Sequence, residues 1–343
     1  MKIALDAAGG DYGIAPNIEG AIKAANEWGV EVILVGPGAQ IHSQLSAHGI
    51  AAGDRRFEVV NAPQIIPMDA DPASTCRDTP QASIMVGARL VAEGRAEGLV
   101  SAGHSGATMV ASLWHLKRLP GVLRPAIAIS VPTLKGHTIL LDVGANTECK
   151  PWHLLQFAAM GALYCQHVFK VANPSVGILS VGEEECKGND LVRESIPLLK
   201  CSGLNFYGPV EGRDITAGTT DVVVCDGFVG NIALKLIEGV ASSIFGFLKN
   251  EIRGNHFYKA GGLLLRGPFN KLKKRLSAEE HGGAPLLGVG GTVIITHGRS
   301  NAKTISNALR TAKQLIDHKV NGQIQKSVAD MKLNLETARV QPS

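Results

Sequence analysis

Only 5% of the 343 residues are aromatic, and the six cysteines (Cys76, Cys149, Cys165, Cys186, Cys201 and Cys225) are irregularly spaced with no CxxC pair. Neither a disulfide framework nor a zinc site of ordinary spacing is indicated, and a reducing cytosol fits the thiols. No uninterrupted run of about 18 apolar residues occurs, so no spanning helix is expected. The net charge of +4 falls short of a nucleic-acid footprint, although it suits an anionic substrate or membrane surface. A G-x-x-x-x-G-K-[ST] phosphate loop is missing. A dinucleotide fingerprint begins at Gly36-Pro37-Gly38, but Ile41 stands where its third glycine belongs. Asp6 interrupts what would have to be a signal-peptide core, so the N-terminal stretch reads as a first strand.

What the chain has in quantity is glycine, 40 residues of it, and much of it lies where short apolar runs end. Residues 2–5, 31–35, 57–61, 98–101, 138–141, 176–179, 222–224 and 292–296 read as strands, most of them followed by a turn and a helix. This alternation predicts an α/β fold with a parallel sheet, formed by residues 1–343 as one domain. Right-handed crossovers are then expected to bring all the loops to one edge, at the carboxyl ends of the strands.

The stretch 219–238 shows what such a loop offers. Val222, Val223 and Val224 suit a strand covered on both faces, and Asp226 falls at its end. Gly227 and Gly230 allow close approach of a ligand, and the apolar run from Ile232 reads as a helix with its N–H groups towards the turn. Comparable chemistry stands at the other strand ends: Asp6, Gly9 and Gly10; Gly103, His104, Ser105 and Gly106; Asp142, Gly144 and Asn146; Glu183, Lys187 and Asn189; His297, Arg299 and Ser300. Backbone donors, the amides Asn146, Asn189 and Asn231, and the bases Lys187, Arg299, His104 and His297 suit an oxyanion or a phosphate. The carboxylates Asp6, Asp142, Glu183 and Asp226 can orient these cations, fix a histidine tautomer or hold Mg²⁺, and spacing does not choose among the three.

Residues 232–283 break the pattern. Ala233, Ile237, Val240, Ile244 and Phe247 give a long helix an apolar seam, which predicts a helical excursion that pairs with a second copy. At its tip Leu263, Leu264 and Leu265 precede an expected break at Pro268. Phe269, Leu272 and Leu276 then share a helical face bordered by Lys271, Lys273, Lys274 and Arg275. That is the composition of an interfacial membrane anchor, or equally of a basic face whose apolar side is buried in a dimer. These cations and Arg253 are also candidates for docking an acidic carrier protein.

Six blocks, ALDAAGGDYGIAPNIEGA, SAGHSGATMVAS, LLDVGANTECKP, GILSVGEEECKGND, VVVCDGFVGNIALKLIEG and APLLGVGGTVIITHGRSNA, run in this order over roughly residues 3–308. They resemble the PlsX family of bacterial phosphate acyltransferases, which act in phospholipid synthesis. The resemblance implies a Rossmann-like three-layer α/β/α sandwich related to phosphotransacetylases and isocitrate or isopropylmalate dehydrogenases. It further implies a cytoplasmic homodimer at the membrane periphery that transfers a fatty acyl group reversibly from acyl carrier protein to inorganic phosphate. No cofactor or resident metal is expected. Lys187, Asn231, His297 and Asp226 are the expected catalytic residues. Asp6, Gly9, Gly10, Gly103, His104, Ser105, Gly106, Asn146, Gly230, Arg299 and Ser300 are the expected phosphate and substrate contacts. Leu263, Leu264, Leu265, Phe269 and Leu272 are expected to face the membrane. Family members usually carry Asn-Thr where this chain has His104-Ser105, and an acidic stretch where it has residues 216–220.

Two other readings are available. Gly103-His104-Ser105-Gly106-Ala107 approaches the G-x-S-x-G nucleophile elbow, with Asp226 and His297 following in the order of an esterase triad. A non-catalytic scaffold binding carrier protein and membrane would use the basic tip alone.

Overall fold

The computed structural model describes residues 1–254, 258, 261–262, 264–276 and 282–337, with 270, 273–276 and 334–337 described by backbone alone. β1 (Lys2–Asp6) leads to α1 (Ile14–Trp28), and β2 (Glu31–Gly36) to α2 (Gly38–Ala47). β3 (Phe57–Asn61) leads to α3 (Pro72–Asp78) and α4 (Ser83–Ala92), and β4 (Gly98–Ser101) to α5 (Ser105–His115). The hairpin β5 (Ala126–Pro132) and β6 (His137–Leu141) precedes α6 (Pro151–Tyr164), β7 (Ser175–Leu179), α7 (Asp190–Lys200), β8 (Asn205–Val210), α8 (Gly212–Ala217) and β9 (Val222–Val224). Then follow α9 (Gly227–Gly254), α10 (Arg266–Leu276), β10 (Ala284–Leu287), β11 (Thr292–Ile295), α11 (Ala302–Asp317) and α12 (Val320–Thr337).

Successive residues of a strand point to opposite faces of its sheet. In β1, Ile3 and Leu5 enter one hydrophobic core with Val32, Leu34 and Ile305, while Ala4 enters another with Ile33, Leu99 and Val293. Helices over both faces complete three layers. Gly20 of α1 lies so near Ile305 of α11 that a β-carbon would sit 2.5 Å from the isoleucine's own, so these helices pack at backbone distance.

All eleven strands form one sheet in the order β3-β2-β1-β4-β11-β10-β5-β6-β9-β7-β8. β3, β2, β1, β4 and β11 run parallel. β10 is antiparallel to both β11 and β5, and β5 is antiparallel to β6. β6, β9, β7 and β8 are again mutually parallel. Three antiparallel junctions reverse the direction, so β6, β7 and β9 end at the edge opposite to the one where β1, β4 and β11 end. The expectation of one shared edge is therefore corrected. The two strands behind the reversal, β5 and β10, are absent from the sequence reading.

α9 starts at Gly227 rather than near Ile232, so the expected turn at 226–231 is helical from its second residue. Ala233, Leu234 and Ile237 pack against Leu140, Val143 and Val223, whereas Val240, Ile244 and Phe247 are exposed. By length and composition α9 could also cross a bilayer, which the absence of an uninterrupted apolar run did not suggest. Pro268 does not break the chain as expected. It occupies the first turn of α10, where a missing N–H costs nothing. Leu264, Leu265 and Leu272 are exposed and Phe269 is half-buried. Leu263, like the side chains of Lys273, Lys274, Arg275 and Leu276, lies outside the described residues.

Candidate active site

The loops build two clusters, one at each edge. At the edge where β1, β4 and β11 end, three loops meet backbone to backbone. A β-carbon on Gly9 would lie 2.7 Å from the amide nitrogen of Gly103, and one on Gly10 would lie 3.0 Å from the carbonyl oxygen of Gly298. Asp11 donates its N–H to that same carbonyl at 2.7 Å, and Arg299 Nε stands 3.7 Å from Asp11 Oδ2. Asn17, buried in α1, donates to the carbonyls of Ala7, Gly9 and Gly13 and so holds the first loop in shape.

Asp6 lies beneath this cluster. Its Oδ2 accepts the Ser101 hydroxyl at 2.7 Å, and Ser101 Oγ accepts the Gly103 N–H at 3.0 Å. Burial raises the Asp6 pKa against the opposing hydrogen bonds from Ser83, Ser101, Gly9 and Ala8, and Oδ1 has no partner. A carboxylate in that place shapes the loops from below and does not act as a phosphate ligand. Ser101 and Asn17 were missed by the sequence reading, being ordinary strand and helix residues until the loops come together.

Several groups at this edge favour an anion. His104 caps α5, with Nδ1 accepting the Ala107 N–H at 3.2 Å, and His297 Nδ1 accepts the Arg299 N–H at 3.1 Å. A ring nitrogen that accepts is unprotonated, which places the proton of each neutral imidazole on Nε2 as an outward donor. Arg299, Ser105 and the amino end of α11 complete the set. Ser300 is buried and donates its hydroxyl to the His297 carbonyl at 2.6 Å, so that proton serves the turn rather than a ligand.

At the opposite edge, buried Asp142 organises the second cluster. Oδ1 accepts the N–H groups of Ile127, Gly144 and Ala145 at 3.0–3.2 Å, and Oδ2 accepts Asn146 N and Nδ2 at 2.7 and 2.9 Å. Burial is the largest influence on Asp142 and raises its pKa. Asn146 also donates Nδ2 to the Pro125 carbonyl and receives the Gly227 N–H on its own. Both amide hydrogens are thus engaged, and Asn146 braces the site instead of offering donors. Asp226 caps α9 by accepting the Val229 N–H at 2.9 Å, a local role in place of the cation contact expected for it. Asn231, on the first turns of α9, is exposed beside Gly144, and Lys187, exposed on the loop after the neighbouring β7, has no carboxylate partner among the described residues.

Other expectations are corrected by the same division. Ser105 and His297 lie at one edge and Asp226 at the other, so the esterase triad is not assembled within the chain. Asp6 and Asp142, likewise separated, cannot share a cation. Cys225 is buried and its thiol pKa is pushed well above the ordinary value by burial, with Asp226 and Asp142 adding to the effect, which leaves an unreactive thiol.

The fold is an α/β architecture shared with phosphotransacetylases. A solved phosphotransacetylase from Streptococcus pyogenes superposes with a TM-score of 0.63 at 19% identity, covering 92% of this chain and 94% of that one. The EutD phosphotransacetylase from Staphylococcus aureus gives 0.58 at 18% over 92% and 94%. The fatty acid synthesis protein family model matches residues 1–323, and the chain belongs to that family. Curated relatives named phosphate acyltransferase include those of Elusimicrobium minutum, 51% identical over 97% of each chain, and Heliobacterium modesticaldum, 48% identical over 96% of this chain and 98% of that one.

Proposed function

We propose that this protein is a phosphate acyltransferase that moves a fatty acyl group reversibly from acyl carrier protein to inorganic phosphate, supplying acyl phosphate for phospholipid synthesis. The near full-length identity to relatives of that name carries the reading. The anion-receptive ends of α5 and α11 support it.

Phosphate is already an anionic nucleophile, so no cofactor is needed to make one. Its oxygen attacks the thioester carbonyl, the C–S bond breaks, and the proton of HPO₄²⁻ ends on the departing thiol. Arg299, His104 and the amino end of α11 hold the phosphate, with Gly9, Gly10, Gly103 and Gly106 allowing its approach. His297 Nε2–H hydrogen-bonds the departing sulfur, and the thiolate takes up the proton that phosphate releases. Lys187 and Asn231 take the charge that grows on the carbonyl oxygen. Orientation is worth about 7–11 kcal/mol and each oxyanion donor about 2.7–4 kcal/mol.

Because the two sets of groups occupy opposite edges, the reading requires a homodimer in which one copy's Arg299 edge meets the other's Asn231 edge. The bare seam of Val240, Ile244 and Phe247 supplies the contact between copies. Exposed Leu264, Leu265 and Leu272, with Lys271 beside them, contact an anionic membrane surface reversibly, the enzyme otherwise residing in the cytoplasm.

The deciding experiment measures phosphate-dependent loss of an acyl thioester, with formation of acyl phosphate, by the purified protein. Thioester loss without phosphate would indicate hydrolysis, and binding of carrier protein with no turnover would indicate a scaffold.

A further inference from the structure

We infer that residues 117–124, together with Lys150, form the docking surface for the acidic carrier protein that presents the thioester. The inference rests on the acyltransferase reading and identifies the partner's landing site, away from the helical tip.

The segment lies at the Asp142 edge and is rigidly held. Lys117 accepts the Gly290 N–H and Leu119 donates to the Gly288 carbonyl, each at 3.0 Å, which ties it to the turn between β10 and β11. Gln156 of α6 accepts from Leu123 N at 2.8 Å and donates to the Gly121 carbonyl at 2.9 Å. The Arg118 guanidinium donates to the Leu123 carbonyl. At its end the Asn146 amide binds the Pro125 carbonyl at 2.7 Å, and the Asn146 carbonyl receives the Gly227 N–H at 2.7 Å. Two hydrogen bonds therefore connect this platform to the helix that carries Asn231.

Lys117, Arg118, Arg124 and Lys150 are all exposed, and none has a carboxylate partner among the described residues. Arg124, Lys150 and Arg118 converge in space: after burial, their charges hold His153 below its ordinary pKa. Elsewhere on this surface cations are commonly paired, as Arg213 is with Glu183 and Glu211 and Arg56 with Asp54. Leu123 is 41% exposed, and Trp114, one turn before Lys117, is 44% exposed. Unpaired cations around exposed apolar side chains fit an acidic amphipathic helix, steering its approach and holding it loosely enough to leave. Within one chain they are separate from the phosphate groups, which lie among the loops at the other edge.

The test compares wild type with Arg124→Glu/Lys150→Glu on two donors, an acylated carrier protein and the uncharged acyl-pantetheine thioester. The expected result is a rise of about tenfold in KM for the carrier-protein donor, kcat and the KM for phosphate unchanged, and acyl-pantetheine turnover unaffected. Added salt should raise the wild-type KM and barely move that of the variant. A carrier-protein KM within about twofold of wild type overturns the proposal. So does a rise in the KM for phosphate with both donors, which would give the cations to phosphate. If the double variant fails to fold, Arg124→Gln/Lys150→Gln is read in the same way. Should wild type turn over neither donor, the acyltransferase reading fails, and anisotropy of labelled carrier protein with wild type and variant still decides the docking surface.

Discussion

A β-carbon on Gly230 would lie 1.9 Å from the carbonyl oxygen of Asp142, so the first turn of α9 and the end of β6 meet through bare backbone. No rotamer change relieves such an overlap. Gly230→Ala is expected to cost about 3 kcal/mol or more and to lower the melting temperature by several degrees. Gly239→Ala, where a β-carbon meets nothing within 4 Å, is the control and should be neutral or stabilising by up to about 1 kcal/mol. Calorimetry of the two variants decides the matter, and equal melting temperatures would show that the contact constrains nothing.

Lys187 and Asn231 are exposed, and among the described residues their side chains bear no structural bonds that their removal would orphan. Lys187→Ala and Asn231→Ala should each reduce kcat about 10²–10³-fold. Stability should move by no more than about 0.5 kcal/mol. Phosphorolysis within twofold of wild type in either variant would remove that residue from the chemistry.

Asp6 supplies a pH signature. Burial sets its folded pKa above the ordinary unfolded value of 3.8, so relative to the unfolded chain the fold disfavours the ionised form. The Asp6 contribution to stability is then fully present below 3.8 and is lost as pH rises through the folded pKa. Asp6→Asn lacks this decline and can still accept from Ser101. It should melt higher than wild type at neutral pH, by a margin that narrows as pH falls towards 3.8. A margin independent of pH would assign the change to packing.

The proposed site shared between two copies has a genetic signature. Co-expression of Arg299→Ala and Asn231→Ala chains should restore roughly a quarter of wild-type activity, since half the dimers are mixed and each of those has one intact site. Two inactive variants that stay inactive when mixed would show that each chain works alone. Ile244→Glu/Phe247→Glu should convert a dimeric mass to a monomeric one by light scattering, with loss of activity.

Leu264→Glu/Leu265→Glu is expected to abolish flotation with anionic liposomes while leaving phosphorolysis in solution intact. Undiminished flotation would move the membrane contact elsewhere.

Much of the candidate site was legible one loop at a time. Gly227 and Gly230 read as points of ligand approach and Gly9 and Gly103 as phosphate contacts, yet a β-carbon at each would collide with the protein's own atoms, Gly230 with the Asp142 carbonyl oxygen. The polar residues were harder to read, because what a side chain does depends on where its hydrogens go. Ser300, Asn146 and Asp226 look like ligands in the sequence, yet each has a hydrogen bond that makes it a turn, a brace or a cap. The cations at Arg118, Arg124 and Lys150 carried no motif, and only folding brings them around His153.

The sequence alone determined eight of the eleven strands, where loops rich in glycine and charge interrupt them, and that one long helix carries more apolar surface than a single chain covers. These follow from composition and period, which are local. The direction of each strand is not local, because alternation reads the same whichever way a strand runs and its partner is chosen by hydrogen bonds to distant segments. β10, four residues including Pro285, and β5, whose Ile127, Ile129 and Val131 do alternate, gave no sign that they would reverse the sheet. Only the tertiary structure sent His297 and Arg299 to one edge and Lys187 and Asn231 to the other. That separation makes a second copy necessary to the proposed chemistry.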